Sequence, residues 1–219
     1  MNRVIILGPQ GSGKSTQGKI IADFLGVKIL SSGDIIRRSI EGKTDLGKRI
    51  GRLVNKGALI PDQDIIELIF GRLDNSEYQQ GFLLDGFPRN IRQARILDKH
   101  YFIDKVFNIE ISDDEAIRRI QGRLICPQGH IFHNDYRQPM KDHQCDICRQ
   151  PLYHRIDDQE EAVVQRLIIY HQNTSKLLDY YMQQQKLVIF DGHGSIITVN
   201  KKILEYLQRN VKQKNIRRN

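Results

Sequence analysis

Residues 8–15 read Gly-Pro-Gln-Gly-Ser-Gly-Lys-Ser, and this run restricts the possible folds more than any other part of the chain. It matches G-x-x-x-x-G-K-S without a gap. The aliphatic run Val4–Leu7 precedes it at strand length, and a helical pattern follows from Ser15 to Leu25, with Ile20, Ile21, Phe24 and Leu25 on one side. Strand, glycine-rich loop and helix in that order make a cradle for phosphate groups. Glycines let backbone N–H groups turn inward, the helix N-terminus contributes the positive end of its dipole, and a lysine reaches the terminal phosphates. Gly11, Ser12, Gly13, Lys14, Ser15 and Thr16 are therefore candidate triphosphate-binding residues, with the Ser15 hydroxyl placed to ligate magnesium directly or through water. Taken alone, the loop implies binding of a nucleoside triphosphate and no particular reaction.

Further short apolar runs recur along the chain: Lys28–Leu30, Phe82–Leu84, Lys105–Ile111 and Leu187–Phe190. Each is nearly continuous in apolar character, as expected of parallel strands buried on both faces. Helical patterns fall between them, at Asp62–Leu73 and over the long stretch Glu160–Gln184. Strand alternating with helix predicts an α/β fold: a P-loop NTPase-type parallel sheet of about five strands with helices on both faces. The segment Arg123–His154 breaks this rhythm. It gathers all three cysteines and four of the seven histidines, so it reads as a small inserted unit with its own organiser.

Composition narrows the partners. At 219 residues and 39% apolar content, the chain can bury one core carrying sizeable inserts. No apolar run approaches the ~20 residues that cross a bilayer. The run at the start is too short for a secretion signal and leads into the phosphate loop, so a cytoplasmic location and no membrane partner are expected. The formal charge of +8 suits either nucleic acid or a polyanionic small substrate drawn into a positive cleft. Part of it is terminal: after Glu205 come Arg209, Lys212, Lys214, Arg217 and Arg218 with no acid, which reads as a solvated or frayed end. The cysteines Cys126, Cys145 and Cys148 are odd in number in a chain of cytoplasmic character. That disfavours a disulfide framework and favours a metal, provided a fourth ligand lies nearby.

Further residues bring a family into view. The run Gly81-Phe82-Leu83-Leu84-Asp85-Gly86-Phe87-Pro88-Arg89, with Gln93 downstream, resembles the signature of the adenylate kinase family, and the resemblance extends over nearly the whole chain. It implies reversible, magnesium-dependent phosphoryl transfer from ATP to AMP. Physically, a buried strand would deliver Asp85 to its carboxyl end to hold the magnesium shell, and Arg89 would bridge the two nucleotides' phosphates with its planar fork. By the same resemblance Ser32 faces the acceptor base, Arg37 holds the acceptor phosphate, and Gln93 reads the adenine edge. Ala58, Leu59 and Ile60, together with Gly86, Phe87 and Pro88, line the AMP side. Arg119 lies against the donor base, and Arg123, Arg155 and Arg166 clamp the transferring group. Ile131 and Phe132 cover the donor ribose and base, and Gly194 touches the donor adenine. The catalytic set is then Lys14, Asp85, Arg89, Arg123, Arg155 and Arg166. Two mobile inserts, a monophosphate-binding one over 32–62 and a lid over 123–158, would close to exclude water, and the enzyme is expected to be a monomer.

The resemblance also implies a lid held by zinc or by polar contacts. Here Cys145-Asp146-Ile147-Cys148 forms a C-x-x-C knuckle and Cys126 supplies a third thiolate. The family's metal-bearing lids often read C-P-x-C-G, whereas this chain has Cys126-Pro127-Gln128-Gly129-His130, so His130 or His133 must complete the site. The short Cys126-to-His130 spacing favours His130, and His143 is a weaker candidate. Three soft ligands and an imidazole suit a closed, structural zinc site. Several readings stand beside this one. The acceptor could be CMP, UMP or GMP, since Ser32 replaces the family's usual threonine and Lys14-Ser15-Thr16 replaces the usual Lys-Gly-Thr. A zinc-bearing P-loop protein that binds nucleic acid would suit the charge, but leaves Asp85–Arg89 and the spaced arginines unexplained. A regulatory nucleotide-binding module without turnover would not need Arg89, Arg155 and Arg166 together.

Overall fold

The structure, a computed structural model, describes residues 1–42, 45–55, 60–154 and 158–216. The five apolar runs form the five strands of one sheet: β1 (Arg3–Leu7), β2 (Lys28–Ser31), β3 (Phe82–Asp85), β4 (Lys105–Glu110) and β7 (Leu187–Asp191). Their spatial order is β2-β3-β1-β4-β7, with every neighbouring pair parallel. The side chains of β1 show why the run is apolar throughout. Val4 and Ile6 face a cluster with Ile21, Phe190, Val199, Ile203 and Leu207. Ile5 and Leu7 face the opposite cluster, with Ile65, Ile69, Leu97, Leu177 and Tyr181. Alternate residues of a strand point to opposite faces, so a strand covered on both sides has no polar positions to spare.

Helix α1 (Lys14–Leu25) and the last helix, α8 (Ile196–Ile216), cover one face. The other carries α2 (Ser32–Glu41), α3 (Asp45–Asn55), α4 (Asp62–Leu73), α5 (Ile91–His100) and α7 (Glu160–Gln183). A further helix, α6 (Asp113–Gln121), packs Ala116 and Ile120 against Val163 and Leu167 of α7. The end expected to be solvated or frayed after Glu205 is helical as far as Ile216. Val199, Ile203 and Leu207, four residues apart, are buried under the sheet; the basic run beyond them obscures that period.

Two features fix the position of the site. β1 is central, and successive strands join on either side of it, which opens a crevice beyond the strands' carboxyl ends, where ligands of open α/β sheets bind. The segment that breaks the strand–helix rhythm is an antiparallel pair, β5 (Arg123–Ile125) and β6 (Ile131–His133). It carries a small cluster of its own, Leu124, Cys126, Phe132, Cys145 and Leu152. Among the described residues no helix is long and apolar enough to cross a membrane.

Candidate active site

The phosphate loop is shaped by its glycines. Gly8 has φ 147° and Gly11 φ 82°, both in the region that favours glycine. A Cβ on Gly8 would stand 2.6 Å from the Ile109 carbonyl oxygen, and one on Gly11 2.8 Å from that of Ala116, so side chains are excluded by space as well. Helix α1 starts from Gly13 with no side-chain cap and no acid in its first turn. Its first N–H groups and dipole are thus left to attract an anion. The Ser12 hydroxyl in the same loop is buried without a hydrogen-bond partner among the described residues.

Charges converge on this loop from four further elements. Lys14 Nζ donates to the Pro9 carbonyl at 3.1 Å. Desolvation brings its pKa down to about 8; Asp85 opposes the shift, while Arg89 and Arg123 add to it. Asp85, at the end of β3, accepts a 2.6 Å hydrogen bond from the Ser15 hydroxyl. Arg89 is likewise lowered by desolvation, against the pull of Asp85 and with a further push from Arg166 on α7. The carboxylate of Asp85 thus acts on Lys14 and Arg89, with Arg123 near Lys14 and Arg166 near Arg89. A cluster so rich in partly desolvated cations is stabilised by a polyanion.

Arg119, expected against the donor base, is held rather than loose. It donates to Glu115 at 2.6 Å and to the carbonyls of Gly192 at 3.1 Å and Gly194 at 3.3 Å. This ties α6 to the loop after β7. Tyr136 of the lid packs its ring against both Arg118 and Arg119, 5.3 and 5.7 Å from the two guanidinium carbons. Arg123, at the lid's entrance, is paired by both arms to Asp158, whose side chain is only 3% exposed; one arm is 2.8 Å long.

In the lid, ligand atoms of Cys126, His130, Cys145 and Cys148 all lie within 4.8 Å of one another. His130 Nδ1 is 3.3 Å from Cys126 Sγ and 3.4 Å from Cys145 Sγ, and Cys148 Sγ is 3.5 Å from Cys126 Sγ. A tetrahedron with metal–ligand bonds of 2.0–2.3 Å has edges of about 3.3–3.8 Å, so the four atoms fit one zinc ion. Backbone N–H groups of His130 and Cys148 point at Cys126 and Cys145 sulfurs. Desolvation pushes the Cys145 thiol up, but hydrogen bonds from the Cys148 and Ile147 backbone outweigh it and bring the group to about 6. The thiolate that a metal needs is thereby favoured. The choice left open in the sequence falls to His130: the His133 ring instead accepts N–H bonds from Asp135 at 2.9 Å and Tyr136 at 3.3 Å.

With that geometry in view, comparison with known proteins is direct. The family model described as adenylate kinase matches residues 6–186. A protein of Caldicellulosiruptor bescii named adenylate kinase is 42% identical over 211 residues, covering 94% of this chain and 98% of the relative. One of Methanosarcina barkeri with the same name is 42% identical over 211 residues, with the same coverage. The chain belongs to the adenylate kinase family. A third relative of that name, from Streptomyces avermitilis, is 38% identical over 214 residues, 94% of this chain and 97% of its own length.

The adenylate kinase fold gathers Lys14, Asp85, Arg89, Arg123 and Arg166 at one place, and sets Gly194 beside Arg119. Other expected site residues have partners within the protein. Phe132 is 1% exposed, sealed in the lid's cluster under Arg137, so of the pair expected over the donor only Ile131 faces outward. The Phe87 ring is fully buried in the main core, which leaves only backbone at that position to meet a ligand. The Ser32 hydroxyl, expected on the acceptor base, is buried and donates to the Gly86 carbonyl at 2.9 Å. Arg37 pairs with Asp34 one helical turn back. Ile60 packs on the main core. Ala58, Leu59 and Arg155 lie outside the described residues. Reasoning from sequence missed Glu115, Asp158 and Asp62. Only Glu115 left a signal, as an acid four residues before Arg119 on a helix.

Proposed function

We propose that this chain is an ATP:AMP phosphotransferase, transferring the γ-phosphoryl of ATP to AMP and back, so that ATP and AMP interconvert with two ADP. The observation that carries the reading is the grouping of Lys14 and Arg89 about the Asp85 carboxylate beside the phosphate loop, with Arg123 acting on Lys14 and Arg166 on Arg89. Phosphoryl transfer asks little covalent chemistry of a protein. Positioning and neutralisation of the equatorial oxygens supply most of the rate.

In this reading the Gly8–Thr16 loop grips the donor's phosphates and Lys14 takes a terminal oxygen; a bound polyanion opposes the desolvation that lowers the lysine's pKa. Ser15 and Asp85, already joined by their own hydrogen bond, are the residues that would hold magnesium, which would supply neutralisation of phosphate charge when bound with ATP. Arg89 spans donor and acceptor phosphates, and Arg123, Arg155 and Arg166 close on the transferring group. Arg119 with Gly194 would form the donor-base side, and Arg37, Ala58, Leu59, Ile60, Gly86 and Gln93 the acceptor side. Zinc in the cysteine site would serve structure alone, because all four of its ligands are protein atoms. The protein would act as a monomer on free nucleotides in the cytoplasm.

A kinase for CMP, UMP or GMP would share the phosphate chemistry and differ only around Ser32 and Gln93. A coupled assay of ADP formation from MgATP with AMP, CMP, UMP and GMP decides between them. AMP is expected to be turned over at least tenfold better than the others by kcat/KM, which is roughly 1.4 kcal/mol of discrimination. Absence of turnover with every acceptor rejects the kinase reading, and a preference for a pyrimidine rejects the AMP assignment alone.

A further inference from the structure

Gln93, the residue proposed to face the acceptor base, is held by a carboxylate that lies outside every sequence motif. Gln93 is 5% exposed on the first turn of α5. Its Oε1 accepts the Arg89 backbone N–H at 2.7 Å. Its Nε2 donates to Asp62 Oδ1 at 2.7 Å. The same carboxylate oxygen accepts Asn90 Nδ2 at 2.9 Å, and Asn90 in turn accepts the Gln93 backbone N–H at 2.9 Å. Asp62, at the start of α4, also has the exposed Arg92 at 3.9 Å from its other oxygen.

We propose that Asp62 fixes which way round the Gln93 amide presents its donor and acceptor, and so selects an acceptor base carrying adenine's hydrogen-bonding edge over one carrying the hypoxanthine or guanine edge. The proposal rests on the reading that Gln93 faces the acceptor base. An amide turned by half a revolution would set its NH2 against the Arg89 N–H and its oxygen against the Asp62 carboxylate. Both encounters are repulsive, and the amide itself is only 5% exposed; each buried group left unsatisfied costs on the order of 1–3 kcal/mol.

The locked amide keeps one unused lone pair on Oε1 and one unused hydrogen on Nε2. Adenine offers a donor at its 6-amino group and an acceptor at N1, which complements that order. Hypoxanthine and guanine offer a carbonyl oxygen at position 6 and a hydrogen on N1, which opposes it at both places. Discrimination between them therefore requires an amide that cannot turn. Arg89 N–H supplies one half of the lock as a neutral hydrogen bond. Asp62 supplies the other as a charge-assisted one, the stronger of the two.

The test compares AMP with IMP, which differs from it only in this edge. With the full-length enzyme and MgATP, kcat/KM is measured for each acceptor. Asp62→Ala is expected to lower the AMP/IMP ratio by roughly tenfold or more, the scale of one charge-assisted hydrogen bond, with KM for ATP unchanged. Because both rates come from one preparation, the ratio does not depend on how much of it is folded. Asp62→Asn keeps a carbonyl oxygen for Nε2 and should retain the ratio within about threefold of the native value, on the same hydrogen-bond scale. An unchanged ratio in the alanine variant overturns the proposal, as does an equal loss in both variants. Gln93→Leu separates this from the reading beneath it. A ratio preserved in Gln93→Leu means that Gln93 does not face the base. A ratio that collapses there and persists in Asp62→Ala leaves the base contact standing and rejects Asp62 as its positioning residue.

Discussion

The segments 32–62 and 123–158 are stabilised in opposite ways. Among the described residues of 32–62, the buried apolar side chains belong to the main core. Ile36 of α2 and Ile50 of α3 are buried within the cluster that also holds Ile5, Leu84 and Phe87, and Ile35, Ile40, Leu46 and Ile60 pack around them. Arg49 of α3 adds a 2.6 Å ion pair to the nearly buried Asp64 of α4. Among the described residues of 123–158, none belongs to that cluster. Five buried apolar residues there make a separate nucleus, and two of them, Cys126 and Cys145, are members of the four-residue metal-ligand set. So small a nucleus cannot offset the conformational entropy of ordering such a segment. A metal can, since binding to a structural zinc site contributes directly to folding. An insert built on the main core borrows its stability, whereas one that stands apart must be stapled.

The sharpest way to break this contrast is to remove the staple. Cys145→Ser, or stoichiometric chelation, is expected to take zinc content from about one per chain to near zero. Of the order of 10 kcal/mol of metal-binding free energy would go with it. Hydrogen exchange should then rise at Leu124, Ile125, Phe132 and Tyr153 of the lid, while Ile36 and Ile50 stay protected. If zinc content and melting temperature are both unchanged, the lid is held by other contacts and the contrast fails. The reciprocal experiment is Ile50→Ala. A fully buried isoleucine truncated to alanine costs about 2–5 kcal/mol. Because the residue belongs to the main cluster, the loss should appear in global unfolding by denaturant and leave zinc content alone. Destabilisation confined to the α2–α3 segment would show that this insert too is an independent unit.

The same contrast explains how much could be read from the chain beforehand. The five strands and the phosphate loop were legible because burial on both faces forces uninterrupted apolar runs, and because glycine and lysine at fixed spacing have few other uses. The cysteine knuckle was legible for a similar reason, since its chemistry is carried by residue type. The fourth ligand was legible in part: the short spacing from Cys126 favoured His130 over His133, and the fold turns the His130 ring toward the sulfurs. The burial of the Phe132 ring was not legible, because an aromatic residue on a short strand reads equally as cover for a ligand or as filling for a small cluster. Asp62 and Asp158 left no trace at all. Their partners lie 31 and 35 residues away, and a carboxylate near a helix start is ordinarily a favourable charge for the helix dipole.

The smallest expected effect concerns the point where the acceptor-side insert leaves the sheet. β2 ends at Ser31 and α2 begins at Ser32 with no intervening loop. The Ser31 side chain accepts the Asp34 backbone N–H at 3.3 Å, and Asp34 adds a negative charge to the first turn. The cap satisfies one of the N–H groups that a helix start leaves unpaired. Ser31→Ala should cost about 1 kcal/mol, the usual value of such a cap. If the insert shares the cooperativity of the main core, that loss appears as a lower global midpoint in denaturant with an unchanged slope. If α2 can fray on its own, the midpoint holds and exchange quickens only at the first turn of α2. A result of the second kind would mean that the acceptor-side insert, though anchored at Ile36 and Ile50, is free to move at its hinge.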